Sequence, residues 1–494
     1  MKQKLISFYE DKKILSSLLI GLFIAFILVT FMVSMSSWIY PLSSTNAMVN
    51  DGNIFFYIGQ LLNQGKTPYV EVFDHKGLYL FYYVTLGTIG NSKYMLYFLQ
   101  IIFFGISNFF LILTLREYDF KFLGTVSTIF LLTSILLVSQ QSVGDYEVQF
   151  PFLCMMQYFF FRGLKNHSDK DYYISAILMG ICAGVAINVR ASDAMVSFAF
   201  FVALFVLLVK EKQYKEMFSC VGLTLISLII ISLPPYLHAL CGGFFNDMFE
   251  ATIIDNFRYV GMDKDTSYVL LMRILIGLLV VIFVVLIFLN RKKISKDEII
   301  CHSISLGIMC ILQLILAQYP HYLFICLPYF IFTLVRLLSL FNFKKYIRFS
   351  FQGLSFLFLL GAAIYVPTSY YLNDYQKAID IKEFVDAKIS KEDKKGHTLA
   401  LDCSCAIYTN SEICVSYGDF SVQTYHTKIS KRFSKENLES YILSSDSHFI
   451  ITDANEKEEY YIYMNSLAQT LIYEKVDSTT FSGGKYISIW RHIV

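Results

Sequence analysis

Charged residues are scarce in this chain of 494 residues. Asp, Glu, Lys and Arg make up 16% of it, against roughly 25% in soluble domains. Tryptophan (2) and proline (8) are rare as well, and 41 basic residues nearly balance 39 acidic ones, for a formal net charge of +2. The scarcity of charge excludes an ordinary cytosolic enzyme. The near-neutral balance gives no reason to expect nucleic acid as a partner.

Hydrophobic residues fill 55% of the chain, and the mean hydropathy is +0.52. A helix needs about 20 apolar residues to cross the hydrocarbon layer of a membrane. Eleven stretches meet or approach that length, and we therefore predict a polytopic α-helical membrane protein with about eleven transmembrane helices. The predicted spans are residues 14–36, 94–115, 121–139, 149–162, 172–189, 192–209, 217–236, 268–289, 299–318, 321–340 and 348–368.

A further apolar run, residues 77–90, decides the topology. At 1.5 Å per residue it reaches only about 21 Å, so we expect it to lie in the membrane interface. The basic clusters then share one side with the N-terminus, which the positive-inside rule assigns to the cytoplasm. These clusters are Arg116/Lys121, Arg162/Lys165/Lys170, Lys210/Lys212/Lys215, Arg291/Lys292/Lys293/Lys296 and Lys344/Lys345/Arg348. We predict a cell-membrane protein with a cytoplasmic N-terminus, an uncleaved first anchor and an outer C-terminus.

The chain divides into two predicted domains. Residues 1–369 form a transmembrane module whose first outer loop spans 37–93, and residues 370–494, where the composition becomes polar, form a small extracytoplasmic α/β domain. Strand-like and helix-like runs alternate in the second domain. They are Ala378 to Ile389, Thr398 to Leu401, Lys435 to Leu443, His448 to Thr452 and Tyr486 to Trp490. Cys414 could pair with Cys403 or Cys405, and the sequence leaves that disulfide open.

Polar residues concentrate in the first outer loop. Its apolar residues from Ile54 to Leu62 recur at helical spacing, which predicts a helix lying on an apolar surface. Asp51 stands at the start of this helix, either as a capping residue or as a functional acid. Asp74, His75 and Lys76 directly precede the interfacial run, at the depth of lipid headgroups. A lysine there could bind a lipid phosphate or merely extend toward water.

Three other outer turns carry polar groups. They are Gly144 to Glu147, Asn188 to Asp193 and Gln318 to Tyr322. Charges at such boundaries are either interface anchors or the wall of a polar cavity. We expect the cytoplasmic turns, in contrast, to hold Lys and Arg clusters without paired acids or histidines. Any chemistry is therefore predicted on the outer side.

The loop sequence Asp51-x7-Gly59-x5-Gly65-x2-Pro68-Tyr69-x3-Phe73-Asp74-His75-Lys76-Gly77 resembles the first-loop signature of bacterial GT-C-fold integral membrane glycosyltransferases. That group includes protein mannosyltransferase-like and aminoarabinose transferase-like enzymes. The resemblance covers about residues 1–340, and its most specific part is 51–77. It implies a polyprenyl-phosphate-linked sugar as the donor and a glycan, lipid or protein acceptor on the outer face of the bilayer.

The resemblance also implies roles for individual residues. Asp51 would be the catalytic base that activates the acceptor hydroxyl, and Lys76 and Arg190 would bind the donor phosphate. The supporting or substrate-binding positions would be Asp74, His75, Glu147, Tyr319, His321 and Tyr322. The chain departs from the pattern at Gly52, where some branches carry a second acid, and at Leu78, where proline is common. A divalent metal ion is open, with Asp74, His75 and Glu147 as candidate ligands.

These residue types suit an inverting transfer. A partly dehydrated carboxylate can take the proton of the acceptor hydroxyl, and cations can neutralise the charge of the leaving lipid phosphate. A transporter or flippase of lipid-linked or soluble glycans is the main alternative, although no repeated halves are seen. A noncatalytic scaffold built around the C-terminal domain is a second alternative, and it leaves the Asp51 to Lys76 cluster unexplained.

Overall fold

The computed structural model describes most of the chain. The described residues are 8–35, 51–91, 93–140, 144–260, 266–316, 320–341, 372–401, 407–408, 411–413, 430–431, 435–444, 446–453, 459–470, 472–481 and 485–493. The protein is mostly helical, with a small sheet near its C-terminus. The helices before the sheet are α1 (Lys13–Met35), α2 (Asp51–Asn63), α3 (Leu78–Gly87), α4 (Lys93–Glu117), α5 (Phe122–Gln140), α6 (Tyr146–Asn166), α7 (Asp169–Ile187), α8 (Ala194–Lys210), α9 (Tyr214–Cys241), α10 (Phe245–Phe249), α11 (Asp255–Val260), α12 (Thr266–Asn290), α13 (Lys296–Leu316) and α14 (Leu327–Ser339).

Ten of the eleven predicted spans coincide with helices in this set. Among the described residues, eight helices are long and apolar enough to cross a membrane. The predicted span 348–368 lies outside the described residues, so a count of eleven stays a prediction. α5 and α6 are the two helices on predicted spans that are not among the eight. The fold is that of a polytopic membrane protein.

α6 is too polar to count as a simple span because it carries Glu147, Gln149, Gln157 and Arg162. The first three of these side chains are nonetheless buried. A buried polar helix is costly in a membrane unless neighbouring elements satisfy its side chains. α6 packs between α4 and α7. It therefore lies inside the bundle, where its polar residues can line a site.

The first loop, residues 37–93, contains two short helices, α2 and α3. α2 begins at Asp51, as the apolar spacing predicts, and packs on α3 through Gly59, whose absent Cβ would lie 2.4 Å from the Val84 carbonyl oxygen. α3 has 10 residues, about 15 Å of helix. That length is too short to cross, in agreement with the expectation for residues 77–90.

α3 is fixed to the long helix α9 by hydrogen bonds, among them that between the Tyr82 hydroxyl and His238 Nδ1 at 2.6 Å. The Tyr79 hydroxyl donates to the Ile231 carbonyl oxygen at 2.5 Å. Ile231 stands four residues before Pro235, which has no N–H to donate to that carbonyl. The tyrosine therefore supplies the hydrogen bond that proline removes, as helices in apolar surroundings require.

The C-terminal region contains a four-stranded sheet in the order β1-β2-β4-β3. Its elements are α15 (Leu372–Lys388), β1 (Thr398–Leu401), α16 (Lys435–Ser444), β2 (Phe449–Asp453), α17 (Glu459–Gln469), β3 (Tyr473–Phe481) and β4 (Lys485–His492). β1 and β2 are parallel, with Thr398 opposite Phe449, whereas β4 is antiparallel to both β2 and β3. Cys403, Cys405 and Cys414 lie outside the described residues.

The sheet region packs against the first loop. The ring of Tyr57 in α2 stacks on Tyr408 with centroids 5.1 Å apart, and its hydroxyl donates to the Ile413 carbonyl oxygen at 3.1 Å. Apolar residues of α2, α3 and the sheet form one continuous buried cluster. The first loop and the C-terminal region are thus two halves of one core.

Candidate functional site

The loop before α3 fixes the position of Lys76. Its backbone N–H donates to Asp74 Oδ1 at 2.9 Å, and its carbonyl oxygen accepts from the Tyr69 hydroxyl at 2.8 Å. Burial raises the pKa of Tyr69 well above its usual range, so this hydroxyl keeps its proton and stays a donor. The loop is therefore held from both sides of Lys76.

Gly77 brings this loop against the turn after α7. Its N–H donates to the Val189 carbonyl oxygen at 3.1 Å, and the Tyr79 N–H donates to the Asn188 carbonyl oxygen at 2.9 Å. A Cβ at Gly77 would lie 2.2 Å from the backbone of Asn188. Only glycine permits this approach. The approach places Lys76 beside Arg190, although 114 positions separate them in the chain.

Lys76 and Arg190 meet at one carboxylate oxygen. Lys76 Nζ lies 3.1 Å from Asp145 Oδ2, and Arg190 Nη1 lies 3.4 Å from the same atom. The side chains of Lys76, Asp145 and Arg190 are only 10%, 5% and 9% exposed. Two cations therefore converge on one point at the end of the helical bundle, in surroundings with little water.

Arg190 is held by further partners. Its Nε and Nη2 donate to Asp193 Oδ1 at 2.9 and 2.7 Å, and Nη1 donates to the Tyr146 hydroxyl at 2.8 Å. The guanidinium carbon lies 4.3 Å from the ring centroid of Tyr146 and 4.8 Å from that of Tyr322, within cation–π range. The guanidinium is therefore fixed in place by its neighbours.

Arg190 stays charged in this site. Burial alone would lower its pKa, but the carboxylates of Asp145 and Asp193 outweigh burial and raise the pKa of Arg190 well above its usual range. Asp193 Oδ2 in turn accepts from Gln149 Nε2 of α6 at 2.7 Å. The four charged groups balance as two cations and two acids.

Glu147 has a different environment. Its carboxylate accepts from the Tyr83 hydroxyl at 2.8 Å, from Gln100 Nε2 at 2.5 Å and from the Gly144 N–H at 3.2 Å. The residue is 1% exposed. Glu147 therefore links α6 to α3 and α4. It stands two residues after Asp145 in the chain.

His75 faces the segment that follows α9. Its ring stacks on Tyr259 with centroids 5.8 Å apart, and its carbonyl oxygen accepts from Asn256 Nδ2 at 2.9 Å. His75 Nδ1 lies 3.7 Å from Asp74 Oδ1. The segment of residues 250–260 therefore borders the loop that carries Lys76.

The other predicted site residues are described in part. Asp51 is the first residue of α2, and its side chain lies outside the described part of the structure. Tyr319 lies outside the described residues, and of His321 only the backbone is described, in the 3-10 helix Pro320–Cys326. The structure thus brings together Lys76, Arg190 and Tyr322. The roles predicted for these residues, and for the other site residues, stay predictions.

Sequence reasoning gave no role to Asp145, Tyr146, Gln149 or Asp193. The signal for Asp145 and Asp193 was their position in outer turns that carry charge. The partners of Asp145, Lys76 and Arg190, stand far away in the sequence, so those pairs could be found only in three dimensions, whereas Asp193 pairs with Arg190 three positions away.

Within the described residues, two groups of three potential metal ligands have their ligand atoms within 4.8 Å of one another. They are His397, Asp446 and His448, and His167, Glu211 and Asp297. Neither group contains Asp74, His75 or Glu147, which stay predicted candidates for a metal ion.

Comparison with known proteins gives one family. Residues 75–236 match the family model described as dolichyl-phosphate-mannose-protein mannosyltransferase. No curated protein matches the chain. The matched segment contains Lys76, Asp145, Arg190 and Asp193, and it begins after Asp51. The match confirms the resemblance to GT-C-type membrane glycosyltransferases and supports a glycosyltransferase of the mannosyltransferase kind.

Proposed function

We propose that this protein transfers a sugar from a polyprenyl-phosphate-linked donor to an acceptor on the outer face of the cell membrane, with inversion at the anomeric carbon. The acceptor is a surface glycan, a lipid-linked glycan or a protein. The observation that carries this proposal is the convergence of Lys76 and Arg190 on one buried point beside α3. The family match over residues 75–236 supports it.

The two cations suit a lipid phosphate. Lys76 offers a point charge with three donors, and Arg190 a planar set of N–H groups that fits phosphate oxygens. In the described structure these donors lie near Asp145 Oδ2. That oxygen marks the position that a phosphate oxygen of the donor would take. The low exposure of both side chains strengthens their attraction to an anion.

The reaction that we propose is a single displacement. The acceptor hydroxyl oxygen attacks the anomeric carbon while its proton passes to the Asp51 carboxylate. The bond between the anomeric carbon and the phosphate oxygen breaks, and the phosphate leaves with the bonding electron pair as polyprenyl phosphate. Lys76 and Arg190 stabilise the charge that grows on this leaving group. Because the leaving phosphate needs no proton, the step requires a general base for the acceptor hydroxyl and no general acid. A carboxylate can serve as that base.

We assign the sheet region to the outer side together with the first loop. The stacking of Tyr57 on Tyr408 supports this assignment, because a domain that packs on the first loop shares its compartment. In that position residues 370–494 would cover the site or hold the acceptor. Asp74, His75, Glu147, Tyr319, His321 and Tyr322 would support substrate binding.

The deciding experiment compares lipid-linked sugars and surface glycans in cells with and without the gene. Deletion should leave untransferred polyprenyl-phosphate sugar in the membrane and remove one sugar from a surface glycan or protein. Complementation with Asp51→Asn should fail, whereas Asp247→Asn, an exposed acid of α10, should restore the sugar.

Two results would contradict the proposal. Full restoration by Asp51→Asn would exclude this residue as the base. A deletion strain in which a complete glycan accumulates on the cytoplasmic face, with its sugar composition unchanged, would favour the transporter or flippase instead.

A further inference from the structure

Two histidines stand side by side where the parallel strands β1 and β2 of the C-terminal sheet begin, a place called the sheet edge below. His397 directly precedes β1 and His448 directly precedes β2. Because these strands are parallel and paired from their first residues, the positions before them are neighbours, and the Phe449 N–H donates to the His397 carbonyl oxygen at 3.0 Å. The two imidazole rings stack with centroids 4.4 Å apart and an interplanar angle of 11°.

Acidic and carbonyl oxygens surround both rings. His448 Nδ1 donates to Asp393 Oδ1 at 2.9 Å, and His397 Nδ1 lies 3.1 Å from the Asp446 carbonyl oxygen. Since these oxygens only accept, each neutral ring carries its hydrogen on Nδ1 and keeps a lone pair on Nε2.

An acid completes the group. Asp446 Oδ2 lies 3.4 Å from His397 Nδ1, and each of His397, Asp446 and His448 offers a ligand atom within 4.8 Å of the other two. The side chains of His397, His448 and Asp446 are 36%, 51% and 80% exposed, so an ion can reach them from solvent. Two imidazoles with one carboxylate form a donor set typical of zinc, and unsuited to magnesium or calcium, which prefer oxygen ligands.

We propose that His397, His448 and Asp446 bind a zinc-class divalent cation at the sheet edge. Asp393 acts as a positioning residue, since its hydrogen bond fixes the orientation of the His448 ring. The bound ion would cross-link the turn before β1 to the turn before β2. The site is separate from the residues assigned to sugar transfer, and its test does not depend on them.

The test is metal binding by the purified full-length protein in detergent. After treatment with a chelator and dialysis against zinc chloride, metal analysis should find one zinc per chain at this site, with no magnesium bound in its place. His448→Gln and His397→Gln should each abolish this binding. Asp393→Ala should weaken it by roughly 10- to 100-fold, as loss of a hydrogen bond to a ligating histidine does.

His167→Gln is the matched control, because His167 belongs to the other described group of a histidine with two acids. The His167→Gln protein should still bind the zinc held by His397, His448 and Asp446. Circular dichroism of each variant separates loss of metal from loss of fold. Zinc content unchanged in folded His397→Gln and His448→Gln proteins would overturn the proposal, and so would a preference for magnesium over zinc.

Discussion

The two ends of the helical bundle handle charge differently. At the end that carries the first loop, Lys76 and Arg190 share one oxygen of Asp145. At the opposite end, cations pair with separate acids. These pairs include Arg162 with Asp171, Lys210 with Asp297, Arg336 with Glu298 and Lys13 with Glu117. The sequence interpretation that the turns at this end hold Lys and Arg clusters without paired acids or histidines is wrong, since His167 also has a ring nitrogen within 4.8 Å of carboxylate oxygens of Glu211 and Asp297.

The contrast separates two uses of charge. A cation with its own acid is satisfied, and several cations at the opposite end are partly exposed, such as Lys210 at 41% and Arg162 at 30%. Such pairs join helix ends, and exposed ones contribute little energy. Convergence of two nearly buried cations on one oxygen is instead the arrangement expected where an anionic ligand is bound.

The largest expected effect is on transfer itself. Arg190→Ala should lower the rate of sugar transfer by roughly 100-fold or more, because a buried cation at the leaving phosphate is lost. Arg162→Ala is the matched control at the opposite end, where Arg162 donates to Asp171 at 2.8 Å. Rates measured with purified protein and a polyprenyl-phosphate sugar should differ strongly between the two variants. Equal losses would remove the contrast between the two ends.

The next effect is on stability. Asp145→Ala leaves Lys76 and Arg190 buried without their shared acid, which should lower the free energy of unfolding by about 3 kcal/mol. Asp297→Ala removes the partner of Lys210, which is 41% exposed, and should cost about 1 kcal/mol or less. Unfolding in graded denaturing detergent measures both. A cost at Asp297 that matches the cost at Asp145 would show that the shared acid is no more important than a surface pair.

A smaller effect is expected at Gly77. An alanine Cβ there would lie 2.2 Å from the Asn188 backbone, so the loop and the turn must separate and Lys76 must move from Arg190. We expect a loss of transfer on the order of 10-fold, since small displacements of positioning groups are costly. Gly222→Ala in α9 meets no atom within 4 Å and should keep full activity. A fully active Gly77→Ala protein would show that the close approach is not needed.

The smallest effect is a pH dependence at Asp255, next to the loop that carries His75. Burial raises the pKa of Asp255 to about 6, against the hydrogen bond from Ser430 and the nearby charge of Arg258. As pH rises from about 4 to 6 the unfolded chain ionises first, so this residue makes folding less favourable over that range. Asp255→Asn should remove this loss of stability. The variant should unfold at a higher temperature than the wild type at pH 7.5, with little difference at pH 4. Arg258 keeps Glu250 as a partner at 3.0 Å. Thermal unfolding at the two pH values measures this, and parallel curves would contradict it.

Much of the fold followed from the sequence because membrane helices depend on long apolar runs, which are local signals. The strand-like runs at Thr398 and His448 also match β1 and β2, and the run at Tyr486 falls in β4. β3 (Tyr473–Phe481) was missed because it is polar and is an outermost strand of the sheet, where its hydrogen bonds to β4 stabilise it rather than an apolar pattern.

The site was predictable only in its individual residues. Lys76 and Arg190 stood out as charges at membrane boundaries, but nothing local shows that both reach Asp145. That meeting depends on Gly77 fitting against Asn188, a contact between segments far apart in the chain. Glu147 was predicted as a supporting acid, and its partners Tyr83 and Gln100 on two other helices were equally beyond a local pattern.

The contact between Tyr57 and Ile413 also bears on how the protein is made. The two residues are 356 positions apart, which the ribosome covers in roughly 20 to 70 s at about 5–20 residues per second. For that interval α2 has left the ribosome while the residues that complete its core have yet to be synthesised. A helper protein or the lipid surface would have to shield its apolar side during biogenesis, and truncation before residue 408 would leave that side exposed for degradation.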